Sequence, residues 1–183
     1  MKGIVFNLLE EVVTREHGAG TWDALLDAAE LDGAYTSLGS YPDEDAGKLV
    51  AAASTALGIA PGEVLRWFGR NAMPILASRY PPFFTTHKTV RPFLLSLNSI
   101  IHPEVRKIYP GADVPVFDFD DAPDGALLMG YASARKLCAL AQGFVEGAAG
   151  HFGESIVFEH VRCMHKGDPK CLFRIAFSDA QAA

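Results

Sequence analysis

The chain has 183 residues, 49% of them hydrophobic, which is enough to fill a sizeable core in one domain. Its formal net charge of −6 argues against nucleic acid or an anionic membrane as partner. No apolar run approaches the roughly 20 residues of a membrane span, and Asn7, Glu10 and Glu11 interrupt the stretch a signal peptide would need, so a cytoplasmic protein is expected.

Val5, Leu8, Leu9 and Val12 recur at helical spacing and predict a helix from residue 3 to about 17, ended near Gly18. Thr21 is the expected N-cap of a second helix, with Trp22, Leu25, Leu26 and Ala29 on its inner face. Tyr41-Pro-Asp-Glu-Asp reads as an acidic turn, and residues 44–58 and 62–79 read as helices. The second of these carries Val64, Leu65, Trp67 and Phe68 and is broken by Tyr80-Pro-Pro. One longer helix is expected over 90–108, holding Phe93, Leu94, Leu97, Ile100 and Ile101 and ending at Tyr109-Pro-Gly.

Past Gly111 the period changes. Val114–Phe119 and Ala126–Tyr131 read as a hairpin turning at Asp121-Ala-Pro-Asp-Gly. Residues 134–149 return to helix, with Leu137, Leu140, Ala141, Phe144 and Ala148 on one face. Ser155–Cys163 and Cys171–Phe177 form a second expected hairpin, turning at Lys166-Gly-Asp-Pro. This is an α+β plan: a mostly helical N-terminal part packed on a C-terminal antiparallel sheet of about four strands, with one helix among them. There is no linker or repeat, so residues 1–183 read as a single domain.

Tyr131, Ser133 and Arg135 place three hydrogen-bond donors at i, i+2 and i+4, on one face of an extended segment. Two hydroxyls and a guanidinium fork suit a pair of carboxylates. Taken with His102, which sits among Ile100, Ile101 and Val105, the trio points to haem, with propionates on the trio and iron on the imidazole. Alone, Ser133 also fits as N-cap of a helix starting at Ala134, and His102 fits a satisfied core histidine. Pro103 deletes a backbone donor and disfavours helical geometry just before it, so either a kink aims His102 or the helix restarts there.

The opening Met-Lys-Gly-Ile-Val-Phe-Asn, then His102, the Tyr-Pro-Gly-Ala-Asp-Val-Pro segment over 109–115 and Tyr131-x-Ser133-x-Arg135 follow one another in an order and spacing that resembles the H-NOX family. These are haem nitric oxide/oxygen-binding domains related to the sensor domain of soluble guanylate cyclase, and the resemblance covers nearly the whole chain. It implies haem b with His102 as proximal ligand, Tyr131, Ser133 and Arg135 as propionate clamp, and Pro115 pressing on the porphyrin to keep it non-planar. From the residues alone, Pro115 is a rigid ring at the start of a strand.

Oxygen-binding members carry a tyrosine donor at the position matching Leu140. Here Leu140 and Phe144 face inward together, Val5 and Leu9 approach from the first helix, and none carries an O–H or N–H on its side chain. Bound dioxygen gains from a donor, and a lost hydrogen bond to a charged group costs roughly 1.5–3 kcal/mol, a ten- to hundred-fold bias. The expected ligands are therefore nitric oxide and carbon monoxide, not oxygen.

All three cysteines, Cys138, Cys163 and Cys171, fall late in the chain, and His160 precedes Cys163 by three residues. Three thiolates and an imidazole make a tetrahedral zinc set, although buried cysteines also serve as small hydrophobes. On a regular strand His160 and Cys163 face opposite ways, so sharing a metal requires a bulge or a strand end. A zinc-containing subset of H-NOX proteins resembles this chain in having one histidine and three cysteines here. His165 is a competing ligand; His17, His87 and His151 have no ligand spacing and are expected in solvent.

The reading that follows is a haem-based nitric oxide sensor and not an enzyme, since no acid–base pair faces the distal pocket. With no room for an output domain it is expected to act in trans, and the resemblance implies a sensor histidine kinase or a cyclic-di-GMP enzyme as partner. The alternative is a thiol/zinc redox sensor with haem as co-sensor.

Overall fold

The first helical run forms α1 (Gly3–His17), buried along Phe6, Leu8, Leu9, Val12 and Val13, and it stops where Gly18 adopts a φ of 88°. A computed structural model describes residues 1–178. Helix α2 (Ala19–Ala29) starts before Thr21. Gly18 already turns the chain, so Thr21 falls inside the first turn and its hydroxyl donates back to the His17 carbonyl at 2.9 Å instead of capping. Helix α3 (Asp43–Leu57) opens with Asp43, Glu44 and Asp45, which complement the positive end of the helix dipole. Helix α4 (Pro61–Arg79) buries Val64, Phe68, Ala72, Met73 and Ile75. These four helices enclose one apolar cluster around Phe6, Trp22, Leu49 and Phe68.

Tyr80-Pro-Pro ends α4, yet the chain re-forms helix at once as α5 (Pro81–Thr85), because proline is tolerated in a first turn. The single helix expected over 90–108 is three pieces: α6 (Val90–Leu95), a π-turn (Leu97–Ile101) and α7 (His102–Ile108). In the π-turn the Ser96 carbonyl accepts the N–H of both Ile100 (2.9 Å) and Ile101 (3.1 Å). Pro103 is the physical reason, since it offers no N–H and its ring crowds the carbonyl one turn back; a widened turn absorbs both. The helix thus restarts at His102. The same widening leaves Ile100 51% exposed while Ile101 stays buried. Asn98 ties the π-turn to the sheet by donating to the Phe117 carbonyl at 2.6 Å.

Strands β1 (Val116–Asp121), β2 (Leu127–Ala132), β3 (Ser155–Arg162) and β4 (Cys171–Ser178) form one antiparallel sheet in the order β1-β2-β4-β3. The α+β architecture is the expected one. The first strand begins two residues later than its composition indicates, leaving Val114 and Pro115 outside the ladder.

Helix α8 (Cys138–His151) also begins later than expected, at Cys138 and not Ala134. Residues 133–137 form a turn in which Lys136 takes a φ of 51° and donates its N–H to the Ser133 carbonyl at 3.1 Å. The Ser133 hydroxyl accepts the Arg135 N–H at 3.3 Å. Ser133 therefore stabilises a turn and does not cap a helix. Helices α4 and α8 cross with their backbones in contact: a Cβ on Gly143 would lie 2.1 Å from the Arg66 carbonyl oxygen, and one on Gly69 would lie 2.6 Å from that of Leu140. A second apolar cluster fills the space between sheet and α8, built on Phe117, Met129, Tyr131, Val145 and Phe173. Among the described residues no single helix is long and apolar enough to cross a membrane.

Candidate haem pocket and metal centre

A cavity of about 560 Å³ opens between the helical part and the sheet. His102, Pro115, Tyr131, Ser133 and Arg135 all line it, and so do Val5, Leu140 and Phe144. Leu9 does not; it lines an adjoining cavity of about 390 Å³ that shares Val5, Leu140 and Arg135 with the first. Met73 and Leu76 of α4 and Met129 of β2 also face the larger cavity. Their helical or strand periodicity marks them as buried in the sequence, but nothing local separates a cavity wall from a packed core.

His102 enters from the first turn of α7. Burial lowers its pKa to about 4, with Arg106 contributing, so at neutral pH the imidazole is uncharged, the form that binds metals. Its ring stacks on Phe117 at 5.6 Å between centroids. Among the described residues its ring nitrogens have no hydrogen-bond partner, and the residue lines the cavity. Tyr109, which ends α7, and Tyr80, which ends α4, are hydrogen-bonded hydroxyl to hydroxyl. Burial, together with that bond, keeps the Tyr109 phenol protonated well above its usual range.

The clamp is charged at one end and buried at the other. Tyr131 is 2% exposed, and burial raises its pKa, opposed by the Ser133 hydroxyl and the Leu137 amide beside it. Arg135 donates from Nε to Asp43 Oδ2 at 2.8 Å, and from Nη1 to the Asp113 carbonyl at 2.8 Å and Oδ2 at 3.0 Å. Asp43 also lies 2.7 Å from the Met1 amino group. Burial opposes its ionisation, but the Met1 ammonium and Arg135 outweigh it and hold the carboxyl below the usual carboxylate range. Neither Asp43 nor Asp113 was visible as a site residue in the sequence, because contacts spanning 92 and 22 positions leave no local pattern.

An apolar cavity with a neutral, unpartnered imidazole on its wall and a guanidinium with two hydroxyls at its edge fits a flat apolar macrocycle bearing two carboxylates. The wall formed by Val5, Leu140 and Phe144 presents no side-chain donor.

A second constellation lies on the far side of the clamp. The ligand atoms of Cys138, His160, Cys163 and Cys171 all fall within 4.8 Å of one another. Cys138 is the first residue of α8 and Cys171 the first of β4. The spacing problem between His160 and Cys163 is solved by a register shift between His160 and Arg162, a bulge that turns the strand before Cys163 leaves it. The loop between Cys163 and Cys171 is held by the Cys163 N–H donating to Asp168 (2.9 Å) and the Met164 N–H donating to Cys171 Sγ (3.3 Å). Burial pushes the Cys138 thiol up to about 12, with Cys171 and Cys163 adding to it. Burial also raises the Cys171 thiol, and a dication reverses that balance, so three sulfurs and an imidazole converging on one point fit zinc. His165 stands outside the set, with its Nε2 2.8 Å from the Lys136 carbonyl. His17 and His151 are exposed, and His87 is half-buried, 6.0 Å from the Phe93 ring.

The Haem-NO-binding family profile matches residues 2–160. The fold superposes on a crystal structure of an H-NOX protein from S. oneidensis in the Fe(II)NO ligation state with a TM-score of 0.91 and 31% identity, covering 98% of this chain and 100% of that one. An NMR structure of the H-NOX domain from Shewanella oneidensis in the Fe(II)CO state matches with a TM-score of 0.88 and 30% identity, covering 98% and 99%. The Fe(II) unliganded H-NOX protein from K. algicida matches with a TM-score of 0.85 and 26% identity over 100% of both chains. With the profile spanning most of its length and the fold shared throughout, this chain belongs to the H-NOX family, the haem-binding gas-sensor domains.

Proposed function

We propose that this protein is a nitric oxide sensor with haem b in the larger cavity and His102 as its iron ligand. The observation that carries the reading is the wall of Val5, Leu140 and Phe144, which has no side-chain donor to favour bound oxygen. Haem, when bound there, would supply a ferrous iron able to take a diatomic gas. His102 lends a neutral ring whose direction is set by the start of α7 and by Phe117. Arg135, Ser133 and Tyr131, which line the cavity, would hold the propionates, and Pro115, outside the ladder, would press on the ring. The similar S. oneidensis proteins solved with nitric oxide and carbon monoxide support this choice of ligands. The test is the absorption spectrum of the reduced protein, first in air and then with nitric oxide: an unchanged spectrum in air that shifts with nitric oxide is expected, and a stable oxygen complex overturns the reading.

Bound haem would tie α7 to the cavity through His102, and a change in that tie would let α7 and Tyr109 at its end shift against the π-turn. We propose that a partner enzyme, a sensor histidine kinase or a cyclic-di-GMP enzyme, reads that shift in trans in the cytoplasm, with coupling of about 1–3 kcal/mol. This sensor is not itself an enzyme. We assign zinc to Cys138, His160, Cys163 and Cys171, on the convergence of their ligand atoms within 4.8 Å. The same thiols support a second reading, a thiol/zinc redox sensor with haem as co-sensor. Partner regulation that follows oxidant and not nitric oxide would select it.

A further inference from the structure

Resting on the haem and zinc assignments above, we propose that His165 is a positioning residue that straps the cysteine loop to the propionate clamp, so that the metal state of the cluster sets how tightly the cavity holds haem. The clamp and the cluster are joined by one short turn. Arg135 and Cys138 are three residues apart, and Lys136 between them has a φ of 51°. A residue with a side chain keeps that conformation only where its surroundings hold it.

Two hydrogen bonds and the cluster flank it. The Lys136 N–H donates to the Ser133 carbonyl at 3.1 Å, His165 Nε2 donates to the Lys136 carbonyl at 2.8 Å, and the Cys138 sulfur lies within 4.8 Å of the other three ligand atoms. His165 can do so because it rides on the short 3-10 turn Met164–Lys166, between the ligands Cys163 and Cys171. That turn is anchored to both, through the Lys166 N–H to the Cys163 carbonyl (2.8 Å) and the Met164 N–H to Cys171 Sγ (3.3 Å). A second route runs beside it, since Tyr131 pairs with Cys171 across the β2–β4 ladder.

With the cluster filled, the loop, His165 and the Lys136 peptide are fixed, and the guanidinium of Arg135 is set between Asp43 and Asp113 at the cavity edge. With the cluster emptied, the loop is released and the turn carrying Arg135 loses its outer support. Haem then leaves faster. The coupling is reciprocal, so bound haem raises zinc affinity by the same factor.

The experiment follows haem transfer from the loaded protein to an excess of a haem-scavenging globin, with and without a zinc chelator, for wild type, His165→Ala and His165→Gln. Haem and zinc content, measured first, test the underlying assignments separately, and a wild type that takes up neither overturns those assignments and the strap together. Chelation is expected to speed haem loss from wild type by about five- to tenfold. His165→Ala should keep its zinc yet lose haem at the chelated wild-type rate, with little further change on chelation. His165→Gln, whose side-chain amide can donate to the same carbonyl, should restore slow loss. This comparison is made on zinc-loaded protein and does not depend on the stripped form staying folded. Wild-type haem loss from zinc-loaded His165→Ala, or equal acceleration of wild type and His165→Ala by chelator, overturns the proposal.

Discussion

The His102 imidazole and the Phe117 ring lie 5.6 Å apart with only 28° between their planes, so a strand residue sets the orientation of a helix residue. The backbone on both sides of this stack is tied as well, by Asn98 donating to the Phe117 carbonyl. His102 is the sole histidine among the residues lining the larger cavity. His102→Gly should therefore lose haem on purification and regain it with added imidazole. Normal reduced-haem spectra from that variant without imidazole would remove His102 from the site.

Arg135→Ala should weaken haem retention more than Ser133→Ala. A charge-assisted bond is worth about twice a neutral one, roughly 1.5–3 against 0.5–1.5 kcal/mol. The difference is enlarged because Asp113 would lose its cationic partner and Asp43 would keep only the Met1 ammonium, leaving unbalanced negative charge at the cavity edge. Haem-loss rates measure this, and equal small effects would mean the clamp is structural only.

Reduced protein should stay five-coordinate in air and bind nitric oxide and carbon monoxide. Leu140→Tyr should create a donor on the distal wall and with it an oxygen complex, gained by about ten- to hundredfold in affinity. Absorption spectra under air decide the point.

One zinc per chain is expected besides the haem. Cys138 reaches the cluster from α8 and the other ligands come from β3, its exit and β4. Cys138→Ala should lose zinc and loosen residues 155–177 in hydrogen exchange, because metal binding and folding are linked there, while the haem it takes up stays on His102 but is released faster than from wild type. A zinc-free wild type with a protected hairpin would show that the cysteines only pack.

Gly143→Ala should destabilise the fold by about 1–3 kcal/mol, because the added methyl would sit 2.1 Å from the Arg66 carbonyl oxygen and must push α8 off α4. Helix α8 also carries Leu140 and Phe144, so the displaced wall should change carbon monoxide release as well as melting temperature. A melting temperature equal to wild type would show that the crossing tolerates a side chain.

Most of the fold could be read from periodicity: α1, α3 and α4 lie within a residue or two of where apolar spacing places them, and both hairpins pair as their composition indicates. The misplacements share a cause. Thr21, Ser133 and the 90–108 stretch all sit where a backbone constraint, at Gly18, Lys136 or Pro103, decided the geometry before side-chain preference could. His102, Tyr131, Ser133 and Arg135 carry a sequence signature in their chemistry, whereas Asp43, Asp113 and the wall residues Met73, Leu76 and Met129 owe their place in the site to tertiary proximity alone. The bulge after His160 is intermediate: spacing required an irregularity without fixing where it falls.

The π-turn before His102 is, in terms of chain length, one residue more than an α-helix needs. Deleting Asn98 or Ser99 would remove the residue that the widened turn takes up and press the segment towards an ordinary helix, in which Pro103 still offers no N–H and its ring meets the carbonyl one turn back. The shortened turn would change both rise and rotation between α6 and α7, so His102, at the start of α7, would shift from its place on the cavity wall. The iron ligand is thus guarded by a reading frame in length as well as by its own identity, and descendants of this chain can exchange side chains in the segment far more freely than they can gain or lose a residue.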